Sequence, residues 1–287
     1  MSELSSVQWD LDIVALSSIV HREDYTALGS DTFGLFRREK IVTAAGEVAY
    51  VPIVSGSNFR GVLRRIGEQL TAAALGYEGR LPVPAAHLLA NGGRLAKTDR
   101  PMSDEDERHL KDLLPQVAVF GGAASGRILS GLLSVGKVLP EVAELAHLLP
   151  RPPRSELPPT AVVTAEETFS HRADHRPALD RAPFSDSGDA SPLGRYSIET
   201  LPAGIRLQSW VRIVNATDAQ LSFFAEVLAV FSVRGHLGAR VSAGHGTVSA
   251  RVEPTVLRGH LHDPGPRWAD ELAARREEAL QALSRIS

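Results

Sequence analysis

The stretch VAYVPIVSGSNFRGVLRR, residues 48–65, constrains the fold more than any other part of the chain. A short apolar strand (48–54) gives way, across a turn of small polar residues, to apolar positions at helical spacing. The helix is expected from about Asn58 to Ala74, with Phe59, Val62, Leu63, Ile66, Leu70 and Ala73 on its buried face. Ser57 is the expected N-cap, since its hydroxyl can accept from the unpaired N–H groups of the first turn. Ser57, Arg60 and Arg64 then share a stripe away from the apolar face. Two readings of this stripe stand side by side. One is an anion site, in which first-turn N–H groups, the helix dipole and arginine forks hold a phosphate. The other is a capped helix with a solvated arginine face, which is the commoner arrangement.

The other segments supply a sheet. Residues 7–20 alternate, with Trp9, Leu11, Ile13 and Ala15 on one face and Gln8, Asp10 and Asp12 on the other. Residues 205–214 alternate in the same way, with Ile205, Leu207, Val211 and Ile213 inward. A buried helix is expected over 218–233 after an N-cap at Thr217 or Asp218, followed by a glycine-punctuated loop running into a strand over 238–253. Residues 21–40 read as a polar loop. Residues 75–118 read as a helical insertion, one of whose helices starts at Ser103. Residues 150–195 are rich in Pro, His, Asp and Ser and read as a protruding loop or hairpin, partly disordered when unbound. The chain ends in one charged helix. Strand, strand, helix, then strand, helix, strand fits an α+β fold with a ferredoxin-like sheet carrying insertions.

Composition removes several function classes. Among 287 residues there is no cysteine, which rules out disulfides, thiolate metal sites and cysteine nucleophiles and suits a reducing compartment. The N-terminus lacks the basic start and apolar core of a signal peptide, and no apolar run is long enough to span a bilayer, so a soluble cytoplasmic protein with no membrane partner is expected. A net charge of -3 and a pI near 6.4 argue against a free-standing, non-specific nucleic-acid binder, but leave room for a local basic groove.

Each chemical motif has a bland counterpart. GGAASGRI (121–128) and GLLSVGKV (131–138) carry the glycine spacing of a P-loop, but Ile128 and Val138 stand where a magnesium-binding hydroxyl is needed. Nucleotide hydrolysis is therefore not expected; Gly121 and Gly122 permit close backbone approach or a tight turn. His171, Asp174 and His175 have helical metal spacing without a fourth ligand. Contact with a polyanion suits that segment better, with Phe169 as a stacking face and Arg172 and Arg176 beside it. His21, Glu23, Asp24 and Asp31 could supply a base or magnesium ligands, although a solvated acidic loop is the simpler reading. Arg37, Arg38 and Lys40 form the densest basic cluster of the first half. Gly238, Gly244 and Gly246 let the late loop pack tightly or pass close to a ligand. No cofactor, metal or catalytic residue is assigned.

Taken in order, these segments resemble the RAMP superfamily of CRISPR-associated proteins, in particular the backbone subunit that polymerises along a guide RNA. The resemblance rests on Pro52, Gly56, Ser57, Phe59, Arg60, Gly61, Leu63 and Arg64; on Val119, Phe120 and Gly121; on Leu201, Pro202 and Gly204; and on Leu237, Gly238, Ser242, Gly244, His245, Gly246 and Val248. It implies one elaborated domain: a ferredoxin-like (RRM-like) palm (1–74, 119–157 and 201–255), helical fingers (75–118), a β-hairpin thumb (158–200) and a C-terminal helix (266–286). It further implies sequence-independent binding of guide RNA through His21, Arg37, Arg38, Lys40, Ser55, Ser57, Asn58, Arg60, Arg64, Gly121, Gly122, Arg127, Phe169, His171, Arg172, Gly244, His245 and Gly246. The implied partners are the guide, a target paired through it, further copies of the chain and other effector subunits. Related subunits that cut RNA carry an aspartate in the loop after the first strand. Here that position falls near Phe36, so no cleavage is expected, and the type IV backbone subunit is the nearest likeness. One rival is a metal-independent guide-processing endoribonuclease of the same superfamily, with His21, Tyr25 or His171 as base. The other is an unrelated nucleotide-binding α/β protein.

Overall fold

The computed structural model describes residues 4–22, 33–77, 81–95, 97–98, 101–172, 193–261 and 267–286. The first half holds β1 (Ser5–Ala15), β2 (Phe33–Gly34), β3 (Arg38–Val42), β4 (Val48–Pro52) and α1 (Gly56–Leu75), then α2 (Val83–Asn91), α3 (Asp104–Leu113) and α4 (Pro115–Phe120). Short strands follow: β5 (Gly122–Ala124), β6 (Arg127–Leu129), β7 (Leu133–Val135) and β8 (Leu139–Pro140). After α5 (Thr160–Val163) come β9 (Ala165–Arg172), β10 (Leu193–Thr200) and β11 (Arg206–Ala216). The chain closes with α6 (Asp218–Arg234), β12 (Gly235–His236), β13 (Thr247–Arg258), α7 (Arg267–Ala274) and α8 (Arg276–Ser284).

The main sheet is antiparallel, in the order β12-β13-β1-β11-β7, with β8 also pairing β11. β1 lies at its centre because it is flanked on both edges, Leu11 facing Ser209 on one side and Val252 on the other. The alternation predicted for β1 holds: Val7, Trp9, Leu11, Ile13 and Ala15 are buried, while Gln8, Asp10 and Asp12 are half-buried on the opposite face. Helices α1 and α6 cover the apolar face. Trp9 meets Phe224 edge-on at 5.4 Å, and Phe59 meets Phe231 at 5.2 Å, which ties both helices to the sheet and to each other. Burying one such ring contributes about 1.5–3 kcal/mol, so this face supplies much of the fold's stability.

Some expectations are corrected and others hold. The strand at 48–54 is half of a hairpin, β3–β4, closed by Thr43 N–H donating to the Glu47 carbonyl at 2.8 Å; part of the expected polar loop is therefore strand. The P-loop-like GGAASGRI is a two-residue hairpin, β5–β6, with Ser125 and Gly126 both at positive φ, as a type I′ turn requires. GLLSVGKV contains the sheet strand β7, so neither glycine run opens a helix. The single C-terminal helix is two. Trp268 of α7 packs on Phe223 and donates to Glu226 at 2.6 Å, and beyond the break Arg275 reaches Asp112 of α3. Residues 75–118, read as a helical insertion, contain α2 and α3 and the start of α4, which runs on to Phe120, and Ser103 caps α3 in a capping box with Asp106. Residues 165–200 do contain a hairpin, β9–β10, with Phe169 opposite Tyr196.

Candidate nucleic-acid interface

Four segments meet at one end of the main sheet. The chain leaving β1 pairs with Leu201 through Ile19 and with the glycine-rich loop through Val20, whose carbonyl accepts from Ala239 N–H at 2.7 Å. Ser18 carbonyl accepts from Gly246 N–H at 2.8 Å. The contacts are so close that two glycines are obligatory. A Cβ on Gly238 (φ +80°) would sit 2.1 Å from the Val20 carbonyl oxygen, and one on Gly246 (φ +79°) 2.2 Å from that of Leu237. The tight approach expected of Gly246 is therefore to the protein's own backbone. Gly244 is left-handed too, with open space around it.

The N-terminus of α1 faces the same corner. Its N-cap is Ser55, not Ser57: the Ser55 hydroxyl accepts from Asn58 N–H at 3.2 Å, because the chain is already helical at Gly56. Ser57 is left exposed in the first turn, its Oγ 3.0 Å from that of Ser55. His21 Nε2 accepts from Ser55 N–H at 3.2 Å and lies 3.2 Å from the Ser55 hydroxyl, while the ring packs edge-on against buried Phe36. Asn58 clasps the glycine loop at both backbone groups of one residue: its Oδ1 accepts from Gly238 N–H at 2.9 Å and its Nδ2 donates to the Gly238 carbonyl at 3.4 Å.

The outward arginine stripe is not there. Arg64 is only 8% exposed, and its guanidinium donates to the carbonyls of Phe120 (2.8 Å), Gly121 (2.9 Å) and Leu88 (3.4 Å). Arg60 donates to Leu133 (2.6 Å) and Phe120 (2.8 Å). Burial lowers the pKa of both; that of Arg64 is pulled down to about 10, with the Arg60 charge adding to the effect. Both guanidiniums thus clamp the α4–β5 corner. Gly121 and Gly122 serve the same corner: a Cβ on the first would lie 2.3 Å from Leu129 O, and on the second 2.6 Å from Gly92 O.

The inner face of the β9–β10 hairpin closes the corner. Phe169 and Tyr196 stack at 5.5 Å, and the Arg240 guanidinium lies 4.8 Å from each ring centroid. His245 is buried, 3.0 Å from the Ser18 hydroxyl through Nδ1 and edge-on to Phe169 at 5.5 Å. Glu167 lies 3.9 Å from the same ring nitrogen.

With this geometry established, comparison with known proteins identifies the family. The profile of the RAMP superfamily matches residues 25–249. The chain belongs to the RAMP superfamily. Among solved structures it is similar to a chain described as "Type IV-B CRISPR Complex", at 50% sequence identity and a TM-score of 0.64, covering 93% of this chain and 99% of that one. A search of curated proteins finds no match.

The remaining candidates of this RAMP protein divide by place. Arg37 and Lys40 lie on the approach to β3 and within it, Lys40 exposed; Arg38 beside them is ion-paired with Glu199. Glu199 also accepts from Phe36 N–H at 3.0 Å. Arg127 belongs elsewhere: it bonds Asp104 at 2.6 Å and Glu107 at 2.5 Å, fastening β6 to α3 away from this corner. His171 and Arg172 are placed as strand positions opposite Gly194 and Leu193. Glu23, Asp24, Tyr25, Asp31, Asp174, His175 and Arg176 lie outside the described residues. Among the described residues no metal-ligating cluster occurs and no helix is long and apolar enough to cross a membrane. Sequence reading missed Arg240 and Tyr196; the only signal for Arg240 was its position within the glycine-punctuated loop.

Proposed function

We propose that this chain is the backbone subunit of a CRISPR ribonucleoprotein of the type IV-B kind, binding guide RNA through its phosphates and lining up with further copies along it. The observation that carries this reading is the match to a chain of a type IV-B complex at 50% identity over nearly the full length of both. The element order β1, α1, β7, β11, α6, β13 and the strand order β13-β1-β11-β7 support a ferredoxin-like palm. On this reading α2–α4 form the fingers, the β9–β10 hairpin is the base of the thumb, and the other effector subunits and a guide-paired target are partners. The RNA-facing corner holds Ser57 at the helix start, Arg37, Lys40, Phe169 and the glycine loop, where exposed donors and the dipole of a 20-residue helix favour phosphate. Arg60 and Arg64, whose guanidiniums are taken up by carbonyls of the α4–β5 corner, are left out of this phosphate-facing set.

The subunit is read as non-catalytic. Phe36, at the position where cutting relatives carry an acid, is fully buried. His21, the nearest base candidate of the endoribonuclease alternative, already accepts from Ser55 N–H. The test is to isolate the full chain with its bound nucleic acid and size both. RNA of uniform length on particles of several copies, with no cleavage of a repeat hairpin, is the expected result; metal-independent cutting by the pure protein would favour the alternative.

A further inference from the structure

Beside the corner lies a cavity of about 240 Å³, between the glycine loop, β2 and β10. Its walls include Phe33, Tyr196 and Ile198, and Arg22 and Arg240 border it. A site of this size is smaller than the ~300–1,000 Å³ typical of small-molecule pockets, so it suits one unit of a polymer.

The two arginines differ from most others near the sheet. Arg38, Arg60, Arg64, Arg127 and Arg151 all donate to carboxylates or carbonyls. Among the described residues, neither Arg22 nor Arg240 has a hydrogen-bond or ion-pair partner for its guanidinium, and both line one cavity. Arg240 is moreover a non-glycine residue at φ +60°. That backbone state is held in place by Ala243 N–H and His245 N–H, which donate to its carbonyl at 2.9 and 3.3 Å. Stacking on Phe169 and Tyr196 fixes the plane of the guanidinium and leaves its N–H edge available. By contrast the larger cavity, near α3, is lined by three acids, two arginines and a histidine and has no such excess of cations.

We infer that this cleft is an RNA subsite. The Arg22 and Arg240 forks take one phosphodiester oxygen pair, and the Phe33–Ile198–Tyr196 wall takes the attached nucleoside. The inference rests on the RNA-binding reading above and adds Arg22, Arg240, Phe33, Tyr196 and Ile198, none of which is among the RNA-binding residues that the sequence resemblance implies.

The test uses the full chain, stripped of nucleic acid at high salt, and a fluorescein-labelled single-stranded RNA carrying 4-thiouridine. Arg22→Ala weakens binding about tenfold and lowers the slope of log affinity against log salt by about 0.7, the value for one phosphate on a single strand. Arg240→Lys keeps a charge over the rings but loses the fork, and falls between Arg22→Ala and wild type. Photo-cross-links are expected on Phe33 or Tyr196. If wild type binds RNA while Arg22→Ala keeps its affinity, slope and cross-links, the cleft assignment is overturned and the general reading stands. If wild type ignores RNA, both fall; a gain of Arg22-dependent binding to an acidic, aromatic peptide in that case would assign the cleft to a protein partner instead.

Discussion

Arg64→Ala separates a clamp from a phosphate contact. In the fold, the Arg64 guanidinium makes two short bonds and one long one to carbonyls and lies 5.5 Å from the Phe120 ring. Its removal does not orphan all three acceptors. Leu88 O keeps Gly92 N–H at 3.2 Å, and Phe120 O keeps Arg60. Gly121 O loses the one hydrogen bond identified for it. Bonds to a charged donor contribute about 1.5–3 kcal/mol each, and the variant is spared the cost of holding a buried charge, so the net loss is about 2–4 kcal/mol. In a chain of this size that lowers the melting temperature by about 4–8 °C. Arg64→Lys recovers part of it, since an ammonium reaches one carbonyl but cannot fork. Thermal and urea unfolding at pH 7.5 measure the loss, and RNA titration well below the melting point shows the folded variant binding like wild type. The pH dependence has a definite sign. With its folded pKa lowered to about 10, Arg64 is protonated in both states below that value, so the defect is constant from pH 6 to 9. Between about pH 10 and the ordinary arginine value the unfolded chain holds the extra proton, so this group makes the wild type more stable as pH rises. A variant that melts with wild type and loses RNA would refute the clamp.

Other outcomes follow from the same geometry. Gly238→Ala, which puts a Cβ 2.1 Å from Val20 O at positive φ, costs about 2 kcal/mol or more and is read by urea unfolding. Ser57→Asp places a carboxylate in the first turn of α1: stability holds or rises by about 0.3–1 kcal/mol while RNA affinity drops, and parallel loss of both would contradict an exposed phosphate-facing Ser57. Glu107→Gln tests the β6–α3 fastening. The Lys111 hydrogen bond, with Arg127 adding to it, holds the Glu107 carboxyl below its usual range. Its stabilisation is therefore present above the unfolded carboxyl pKa and lost as pH falls through the lower, folded one, so variant and wild type differ at pH 7 and converge once acid has protonated the folded carboxyl.

What the sequence disclosed follows a physical pattern. β1 and β11 were legible because one face of each is buried, which imposes strict alternation on residues such as Trp9 and Val211. Thr217 and Ser103 were legible as caps because each has its reciprocal partner three residues on, Gln220 and Asp106. Ser55 and Ser57 are both competent caps two residues apart, and only the point where the backbone turns helical chooses between them. The fate of Arg60 and Arg64 was illegible, because their acceptors lie 24–73 residues further along the chain and are backbone carbonyls without any side-chain signature. β3 was hidden because its sequence, REKIV, carries charges on an exposed face and buries only Ile41 well. Arg240 and Tyr196 meet only through tertiary packing of a loop on a hairpin.

The central claim, that copies of this chain assemble side by side on RNA, is tested most directly by weighing single particles of the purified full-length protein before and after ribonuclease. The account predicts particle masses at integer multiples of one subunit plus RNA, collapsing toward the 30.8 kDa monomer once the RNA is digested. A monomer from the outset, with no nucleic acid and no change in mass when transcripts are added, would contradict it.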